Sequence, residues 1–228
     1  QRQTSLTFAE RVGHGILRRL SPRFRAKTDL FVEPYVSWVP WESGLGDHGH
    51  MLYALVRTLR PKNIVEIGSA RGRSTCIMAL ACAENGLGRV HAIDPHELND
   101  WTDRATNAHT LPFLRARLAQ YGLEGHCNVV VGTSASAAIS WSTPIDLLFI
   151  DGNHDYAAVK EDFEVFRPHL TRDALVCFHD SSWEHDGPWE RFKDAPFFRV
   201  EMGVPRYLEE LQQQGFESVT LPELPGLT

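Results

Sequence analysis

The chain has 228 residues, which is long enough for one α/β domain with a complete core and a short extension. Hydrophobic residues make up 43% and charged residues 23%, a composition typical of ordinary globular proteins. No stretch of about 18 or more apolar residues predicts a membrane span, and no signal peptide is apparent. The net charge of −6 argues against nucleic acid as a partner.

The four cysteines bear on the redox environment. None forms a Cys-x-x-Cys pair, and each lies in or beside an apolar run, where cysteine behaves as a small hydrophobic residue. They are Cys76, Cys82, Cys127 and Cys177. We therefore expect a reduced, cytoplasmic chain rather than a zinc-binding or disulfide-bonded one.

The N-terminal segment is strongly basic, because its first 28 residues carry seven Lys and Arg and a single acid, Glu10. Apolar residues recur there at helical spacing: Phe8, Val12, Ile16 and Leu20. Such a helix can lie on a membrane surface, or it can pack on the domain or on a second subunit. Gly13 and Gly15 weaken a free-standing helix and favour packing. We expect a basic helical extension over 1–44, a domain over 45–228 and a homodimer contact through the extension.

Within the domain, short β-rich runs alternate with helical periodicity. Helices are predicted at 47–59, 73–83, 111–120, 134–139, 156–166 and 204–213. Strands are predicted at 63–67, 90–93, 128–131, 146–150, 174–178 and 215–221. Near-continuous runs of Val, Ile, Leu and Phe indicate strands that are buried on both faces, and the alternation with helices makes them parallel. The predicted fold is α/β, a doubly wound, mostly parallel, Rossmann-like sheet that binds ligands at the carboxyl ends of its strands.

Other segments border the expected ligand face or edge of this sheet. Residues 181–198 combine aromatic side chains, prolines and charges without periodicity, which predicts a lid-like loop. A final antiparallel strand, usual in this fold, would lie beyond Thr228. His48 and His50 begin the helix at 47–59, where a solvated helix end is favoured over contact with a ligand.

A glycine-containing turn follows the first strand: Glu66-Ile67-Gly68-Ser69-Ala70-Arg71-Gly72-Arg73-Ser74-Thr75. Gly68 permits a sharp turn, and Gly72 lets a ligand approach the backbone. The helix N-terminus offers free N–H groups and partial positive charge to a carboxylate or a phosphate. A dinucleotide site usually reads Gly-x-Gly-x-x-Gly, and the middle glycine is missing here. The turn therefore favours a methionine-type amino acid with an adenosine over a dinucleotide, or over a turn without a ligand.

Two further strand ends extend this candidate pocket. Asp94, followed by Pro95, can accept two hydrogen bonds from a ribose diol, or it can merely start a turn. Thr133 and Ser134 can place a hydroxyl or a backbone N–H beside an adenine ring, or cap the next helix. The full set of candidate cofactor-binding residues is Glu66, Gly68, Ser69, Gly72, Ser74, Asp94, Pro95, Thr133, Ser134 and Asp151.

Acidic residues and histidines follow the strands at 146–150 and 174–178. Since one helix separates these strands, we expect Asp151 to lie close to His179 and Asp180. Two carboxylates and an imidazole make a candidate site for Mg²⁺ or Mn²⁺, and the histidine moves the preference toward Mn²⁺. His154 is a candidate general base, because an unperturbed imidazole titrates near pH ~6.5. The alternative is that the carboxylates only cap turns and that His154 packs beside the cofactor.

Three motifs together resemble the class I S-adenosylmethionine-dependent methyltransferases: the turn at 66–75, Ile93-Asp94-Pro95, and Ile150-Asp151-Gly152-Asn153-His154-Asp155-Tyr156. The chain is most similar to the branch that includes catechol O-methyltransferase, macrolide-sugar O-methyltransferases and cephalosporin-hydroxylase-like proteins, over about residues 45–220. The resemblance implies S-adenosylmethionine as cofactor and a methyltransferase fold. It also implies a small-molecule hydroxyl acceptor, a sugar or glycosylated natural product first and a catechol-like phenol second.

The resemblance also implies roles for the strand-end residues. In the sugar O-methyltransferases, metal ligands match Asp151, His179 and Asp180, and the general base matches His154. Those enzymes carry an acidic residue where this chain has His179, so one negative charge is lost and Mg²⁺ is bound less strongly. The alternatives are a metal-independent methyltransferase, a cofactor-binding or oxygenase-like relative that does not methylate, and a dinucleotide-dependent oxidoreductase.

Overall fold

The structure is a computed structural model that describes residues 21–32, 45–97, 110–182, 203–221 and 227–228. The amphipathic segment at 8–20 and nearly all of the lid-like loop lie outside these residues. The domain boundary at 44/45 and the homodimer contact therefore stay predictions. Among the described helices, none combines the length and the apolar character needed to cross a membrane.

The described strands form one parallel sheet. They are β1 (Asn63–Ile67), β2 (Arg89–Asp94), β3 (Cys127–Val131), β4 (Ile145–Ile150) and β5 (Leu170–Phe178). Their order is β3-β2-β1-β4-β5, and every neighbouring pair is parallel. The direction of winding reverses between β1 and β4, which opens a crevice at the carboxyl ends of these strands. The predicted α/β fold class is confirmed.

Helices cover the sheet on both faces. They are α1 (Pro22–Lys27), α2 (His48–Leu59), α3 (Arg73–Asn85), α4 (Thr110–Tyr121), α5 (Ser134–Ala138), α6 (Tyr156–Phe166) and α7 (Gly203–Gln213). Successive strand residues point to opposite faces of the sheet, so an apolar strand contributes side chains to two hydrophobic cores, one on each face. Ile64 and Phe149 pack with α1 to α4, whereas Val65 and Leu148 pack with α6 and α7.

The predicted strand at 215–221 is wrong. Gly215 has a φ of +92° and turns the chain after α7, and no regular strand follows within the described residues. Phe216 and Val219 are 40% and 81% exposed, so the apolar side chains of this segment do not form the buried face that a strand of the sheet would have. Leu221 alone forms an antiparallel bridge, with Leu227.

The end of β5 has an antiparallel neighbour. The backbone N–H of Phe178 donates to the carbonyl of Thr228 at 2.6 Å, and the return bond measures 3.0 Å. Leu227 is bridged to His179 as well as to Leu221. β5 itself is longer than predicted, since it begins at Leu170 rather than at 174.

The start of β1 and the residue before it are tied to β4 by a carboxylate. Asp146 Oδ2 accepts the backbone N–H groups of Lys62 at 2.8 Å and of Asn63 at 3.0 Å. The sequence placed Asp146 in a strand without a role, because its partners are more than eighty residues away along the chain. The two bonds fix where β1 enters the sheet, and with it the position of the turn that follows β1.

Replacing Asp146 by alanine should lower the free energy of unfolding by about 1–3 kcal/mol, because two strand N–H groups lose their acceptor. Asp146→Asn keeps one oxygen and should lose less. Urea unfolding followed by circular dichroism measures both. Asp173→Ala, at an exposed position of β5, is the matched control, and an equal loss in that variant would contradict a specific role for Asp146.

Candidate functional site

The turn after β1 is pressed against the end of β4. Gly68 has a φ of +89°, and a Cβ at this position would lie 2.0 Å from the carbonyl oxygen of Asp151. Its backbone N–H donates to the carbonyl of Ile93 at 2.9 Å, which links the turn to β2 as well. Only glycine combines this φ with such a close approach. The turn is therefore held between β2 and β4, as a site in the crevice requires.

Gly72 is needed for a different reason from the one that the sequence suggested. Its φ is +86°, and a Cβ there would lie 2.3 Å from Leu114 Cδ1. The space beside this backbone is therefore filled by α4. Ser69 is buried in the same turn, and its hydroxyl has no hydrogen-bond partner among the described residues. A buried hydroxyl without a partner is costly, so Ser69 is suited to contact a ligand.

Glu66 and Ser74, both predicted to hold the cofactor, contact each other. The fully buried carboxylate of Glu66 accepts the hydroxyls of Ser74 and Thr75, each at 2.5 Å. Burial raises the pKa of Glu66 to about 8, although the two hydroxyls oppose the shift. The pair fastens the first turn of α3 to β1. Thr75 was missed, although it carries a second hydroxyl in the same first turn of α3 as Ser74.

Asp94 is held by backbone N–H groups from two turns. Its Oδ2 accepts from Ala70 at 2.8 Å, and its Oδ1 accepts from His96 at 2.6 Å. Pro95 follows, half-buried. An ionised carboxylate has about four acceptor positions, so hydroxyls of a ligand can still be bound. The carboxylate thus fixes the glycine turn to the end of β2.

Thr133 and Ser134 begin α5 in different ways. Thr133 caps the helix, because its Oγ1 accepts the N–H of Ser136 at 3.2 Å. The buried hydroxyl of Ser134 donates to the carboxylate of Asp162 in α6. Burial raises the pKa of Asp162 to about 6, and the bond from Ser134 opposes that shift. Asp162 was missed, although it is a carboxylate beside Phe163 on the buried face of a helix.

Asp151, His154 and Asp180 converge at the carboxyl ends of β4 and β5. One candidate ligand atom from each lies within 4.8 Å of the others. His154 Nε2 contacts Oδ2 of Asp180 and lies 4.0 Å from Oδ1 of Asp151. Asp180 has a φ of +57°, unusual for a residue with a Cβ, which turns the chain directly after β5. The sequence predicted that these strand ends meet, and they do.

His179 lies against the same two carboxylates. Its Nδ1 is 3.1 Å from Oδ1 of Asp151 and 3.3 Å from Oδ2 of Asp180. Burial alone would lower the pKa of His179, but the two carboxylates outweigh it and raise this pKa well above its usual range. Burial likewise acts to lower the pKa of His154, but Asp180 and Asp151 together outweigh it and raise this pKa. The two imidazoles in turn hold the pKa of Asp180 far below its ordinary value, despite burial.

The prediction for His48 was wrong, whereas that for His50 is confirmed. His48 is only 3% exposed, and its Nδ1 lies 3.2 Å from Nε2 of His179. His50, two residues further along α2, is exposed. The error has a physical reason, because the start of α2 is covered by the end of β5, which lies more than a hundred residues away along the chain.

A sequence profile of a family described as a methyltransferase domain matches residues 65–181, just over half of the chain. The matched segment runs from β1 through the glycine turn to the strand-end cluster. This chain belongs to the methyltransferase-domain family. The prediction of a methyltransferase is confirmed by this match, and the order of the strands is that of the predicted doubly wound fold.

Solved methyltransferases share the fold of this domain. The O-methyltransferase TomG from Streptomyces achromogenes, in complex with S-adenosylmethionine, aligns with a TM-score of 0.58 and 20% identity over 97% of both chains. An O-methyltransferase from Bacillus cereus in complex with S-adenosylhomocysteine gives 0.59 and 17%, over 92% of this chain and 90% of that one. The S-adenosylhomocysteine-bound PaMTH1 from Podospora anserina gives 0.65 and 14%, over 99% and 97%.

A relative in Sinorhizobium fredii, the uncharacterized protein y4gI, is 29% identical over 186 residues. The matched part covers 77% of this chain but 19% of that protein. The chain thus spans about a fifth of the length of this curated relative.

Gly68→Ala should destabilise the methyltransferase domain more than a change that only strains the backbone. Gly86 has a φ of +64°, and no described atom lies within 4 Å of the position that a Cβ would take there, so Gly86→Ala is the matched control. We expect a loss of about 1 kcal/mol for the control and at least about 2 kcal/mol more for Gly68→Ala, measured by urea unfolding. Equal losses would show that contact with Asp151 is unimportant.

Glu66→Gln should change how stability depends on pH. A carboxyl whose folded pKa is raised stabilises the fold below its ordinary value of 4.5 and loses that contribution as the pH rises through about 8. The free energy of unfolding of the variant, relative to the unmodified protein, should therefore rise between about pH 5 and pH 8, by at most about 1.4 kcal/mol per pH unit. Urea unfolding across this range measures the difference, and a constant difference would contradict the buried carboxyl's role.

Proposed function

We propose that this methyltransferase domain transfers a methyl group from S-adenosylmethionine to a hydroxyl of a small molecule. The observation that carries the proposal is the contact of His154 with Asp180 beside Asp151, on the same edge of the sheet as the glycine turn. A hydroxyl is a weak nucleophile until its proton is removed or shared, and a base at this position meets that requirement. The fold similarity to S-adenosylmethionine-binding TomG supports the choice of cofactor.

The cofactor would lie across the ends of β1, β2 and β3. The hydroxyl of Ser69 and the start of α3 would receive its methionine part, and Asp94 its ribose. Thr133 and Ser134 would border the adenine through backbone groups, because their hydroxyls are used within the protein. Glu66, Ser74 and Gly72 would act by shaping the turn rather than by contacting the cofactor.

In the proposed transfer, the acceptor oxygen attacks the methyl carbon of the sulfonium. The carbon–sulfur bond breaks as the carbon–oxygen bond forms, and S-adenosylhomocysteine leaves. The acceptor's proton passes to the imidazole of His154. The adjacent carboxylate of Asp180 stabilises the resulting imidazolium, which the direction of the pKa shift of His154 already reflects. This balance needs no further reactant.

The donor set also fits a divalent cation. Asp151 and Asp180 would hold it together with a histidine. The 4.8 Å cluster contains His154 as that histidine, so His154 competes with His179, the ligand that the sequence predicted. Mixed oxygen and nitrogen donors suit Mn²⁺ better than Mg²⁺. A bound cation would lower the pKa of the acceptor hydroxyl and orient it.

A second candidate is transfer without a metal. The observation in its favour is that both carboxylates already have histidine partners within the protein, since His179 contacts both of them and His154 contacts Asp180. In this form the carboxylates are held by these imidazoles, and the neutral form of His154 is the base. Chelation separates the two forms, because only the first loses activity with EDTA and regains it with Mn²⁺.

For the acceptor, we propose a sugar or glycosylated natural product first and a catechol-like phenol second, on the sequence resemblance. TomG, which shares the fold, is named for its part in tomaymycin synthesis. A panel of hydroxyl acceptors of both classes, with S-adenosylhomocysteine release as the readout, distinguishes the two.

Replacing His154 by alanine should lower kcat by about 10²- to 10⁴-fold, the usual contribution of a general base, and leave S-adenosylmethionine affinity unchanged. Calorimetry measures cofactor binding, and S-adenosylhomocysteine release with an accepted substrate measures kcat. His50→Ala, on the exposed surface of α2, is the control. Absence of cofactor binding by the unmodified protein would refute the proposal at its first step, and full activity of His154→Ala would refute the base.

A further inference from the structure

His48 and His179 form a buried contact between α2 and the end of β5. His48 Nδ1 lies 3.2 Å from His179 Nε2, and the rings meet edge to face, with centroids 5.2 Å apart and planes at 79°. The other nitrogen of His179 faces the carboxylates of Asp151 and Asp180. The imidazole of His179 therefore bridges His48 to the strand-end cluster.

The distance between the two nitrogens requires one proton between them. Two lone pairs facing each other at 3.2 Å would repel, so one ring donates an N–H to the other. When Nδ1 of His179 carries a proton toward the carboxylates, or gives a lone pair to a cation there, Nε2 is left to pair with His48. In either case the contact with His48 stops the ring of His179 from turning over.

We infer that His48 is a positioning residue for the strand-end site, which holds the ring of His179 so that Nδ1 faces Asp151 and Asp180. The contact between His48 and His179 is observed in the structure, whereas the role of this contact in the strand-end site rests on the proposed function. Histidines that bind metals usually pass their second ring N–H to a carboxylate, a backbone carbonyl or a water molecule, which fixes the tautomer and the direction of the ring. Here the imidazole nitrogen of His48 takes the place of that acceptor.

The helix that carries His48 is rigidly seated. Gly49 follows it, and a Cβ there would lie 2.8 Å from Ile77 Cδ1 of α3, so α2 approaches α3 as closely as a glycine permits. The turn before His48 is tied to the start of α3, because the guanidinium of Arg73 donates to the carbonyl of Gly46 at 3.2 Å. Residues on packed helices hold a site more accurately than residues on loops.

The backbone of His179 is fixed independently of His48. Its N–H donates to the carbonyl of Ile150 at 3.0 Å, and it is bridged to Leu227. These bonds place the Cα but leave the two side-chain torsions free. The direction of the ring is set by its neighbours, and within the part of the chain that the structure describes His48 is the neighbour that contacts Nε2. Loss of His48 should therefore release the ring without moving the strand.

The test compares His48→Ala, His48→Asn and His50→Ala in the full chain. Asparagine is the conservative change, because its side-chain amide reaches about the position of Nδ1 and can still pair with His179. In ¹⁵N-histidine NMR of the metal-free protein, with His179 assigned by its loss in His179→Ala, His48→Ala should shift the ring nitrogens of His179 or average its tautomers. His48→Asn should retain most of the native pattern, and His50→Ala all of it.

Mn²⁺ binding, measured by electron paramagnetic resonance, gives a second readout. His48→Ala should weaken it by about 10- to 100-fold, the usual effect of losing such a partner, and should add nothing in a His179→Ala background. An unchanged His179 spectrum in His48→Ala would overturn the inference, as would an equal loss of Mn²⁺ affinity with or without His179. If the unmodified protein binds no Mn²⁺, the metal proposal fails, and the NMR comparison alone decides the role of His48.

Discussion

Backbone hydrogen bonds that continue past the ends of the parallel strands hold this site together. The N–H of Gly68 donates to a carbonyl near the end of β2. The N–H groups of Asp151 and His179 donate to the last carbonyls of β1 and β4. Gly132 donates in the same way to Asp94. Each turn is thus attached to the strand beside it before any side chain is considered. The glycine turn, the β2 carboxylate and the histidine–aspartate cluster consequently share one edge.

Buried charge is the second constraint, because a carboxylate removed from water must find donors inside the protein. Five carboxyl groups in and around the site have such partners: Glu66 has two hydroxyls, Asp94 two backbone N–H groups, Asp151 one imidazole, Asp162 one hydroxyl and Asp180 two imidazoles. These partners come from different helices and strands. The site is therefore arranged in advance by groups that also join the elements to each other.

Local patterns predicted the elements well where each residue's surroundings follow from its neighbours along the chain. The helix at 156–166 and the first strand have the predicted bounds, because the spacing of their apolar residues and the residues that flank them determine where each begins and ends. The strand predicted at 215–221 is wrong, since the residues of a segment alone do not show whether a partner strand lies beside it. Gly72 was correctly singled out, but for a ligand rather than for the side chain of Leu114.

The sequence by itself determined the α/β fold, the glycine turn and the meeting of Asp151 with His179 and Asp180, because chain direction in a parallel sheet sends all these strand ends to one edge. Only the tertiary structure decided what each side chain contacts there. In the folded chain His48 is buried against His179, and the hydroxyl of Ser134 donates a hydrogen bond to Asp162. Such contacts join residues far apart in the chain, and their existence depends on how helices pack across the sheet, which no local pattern records.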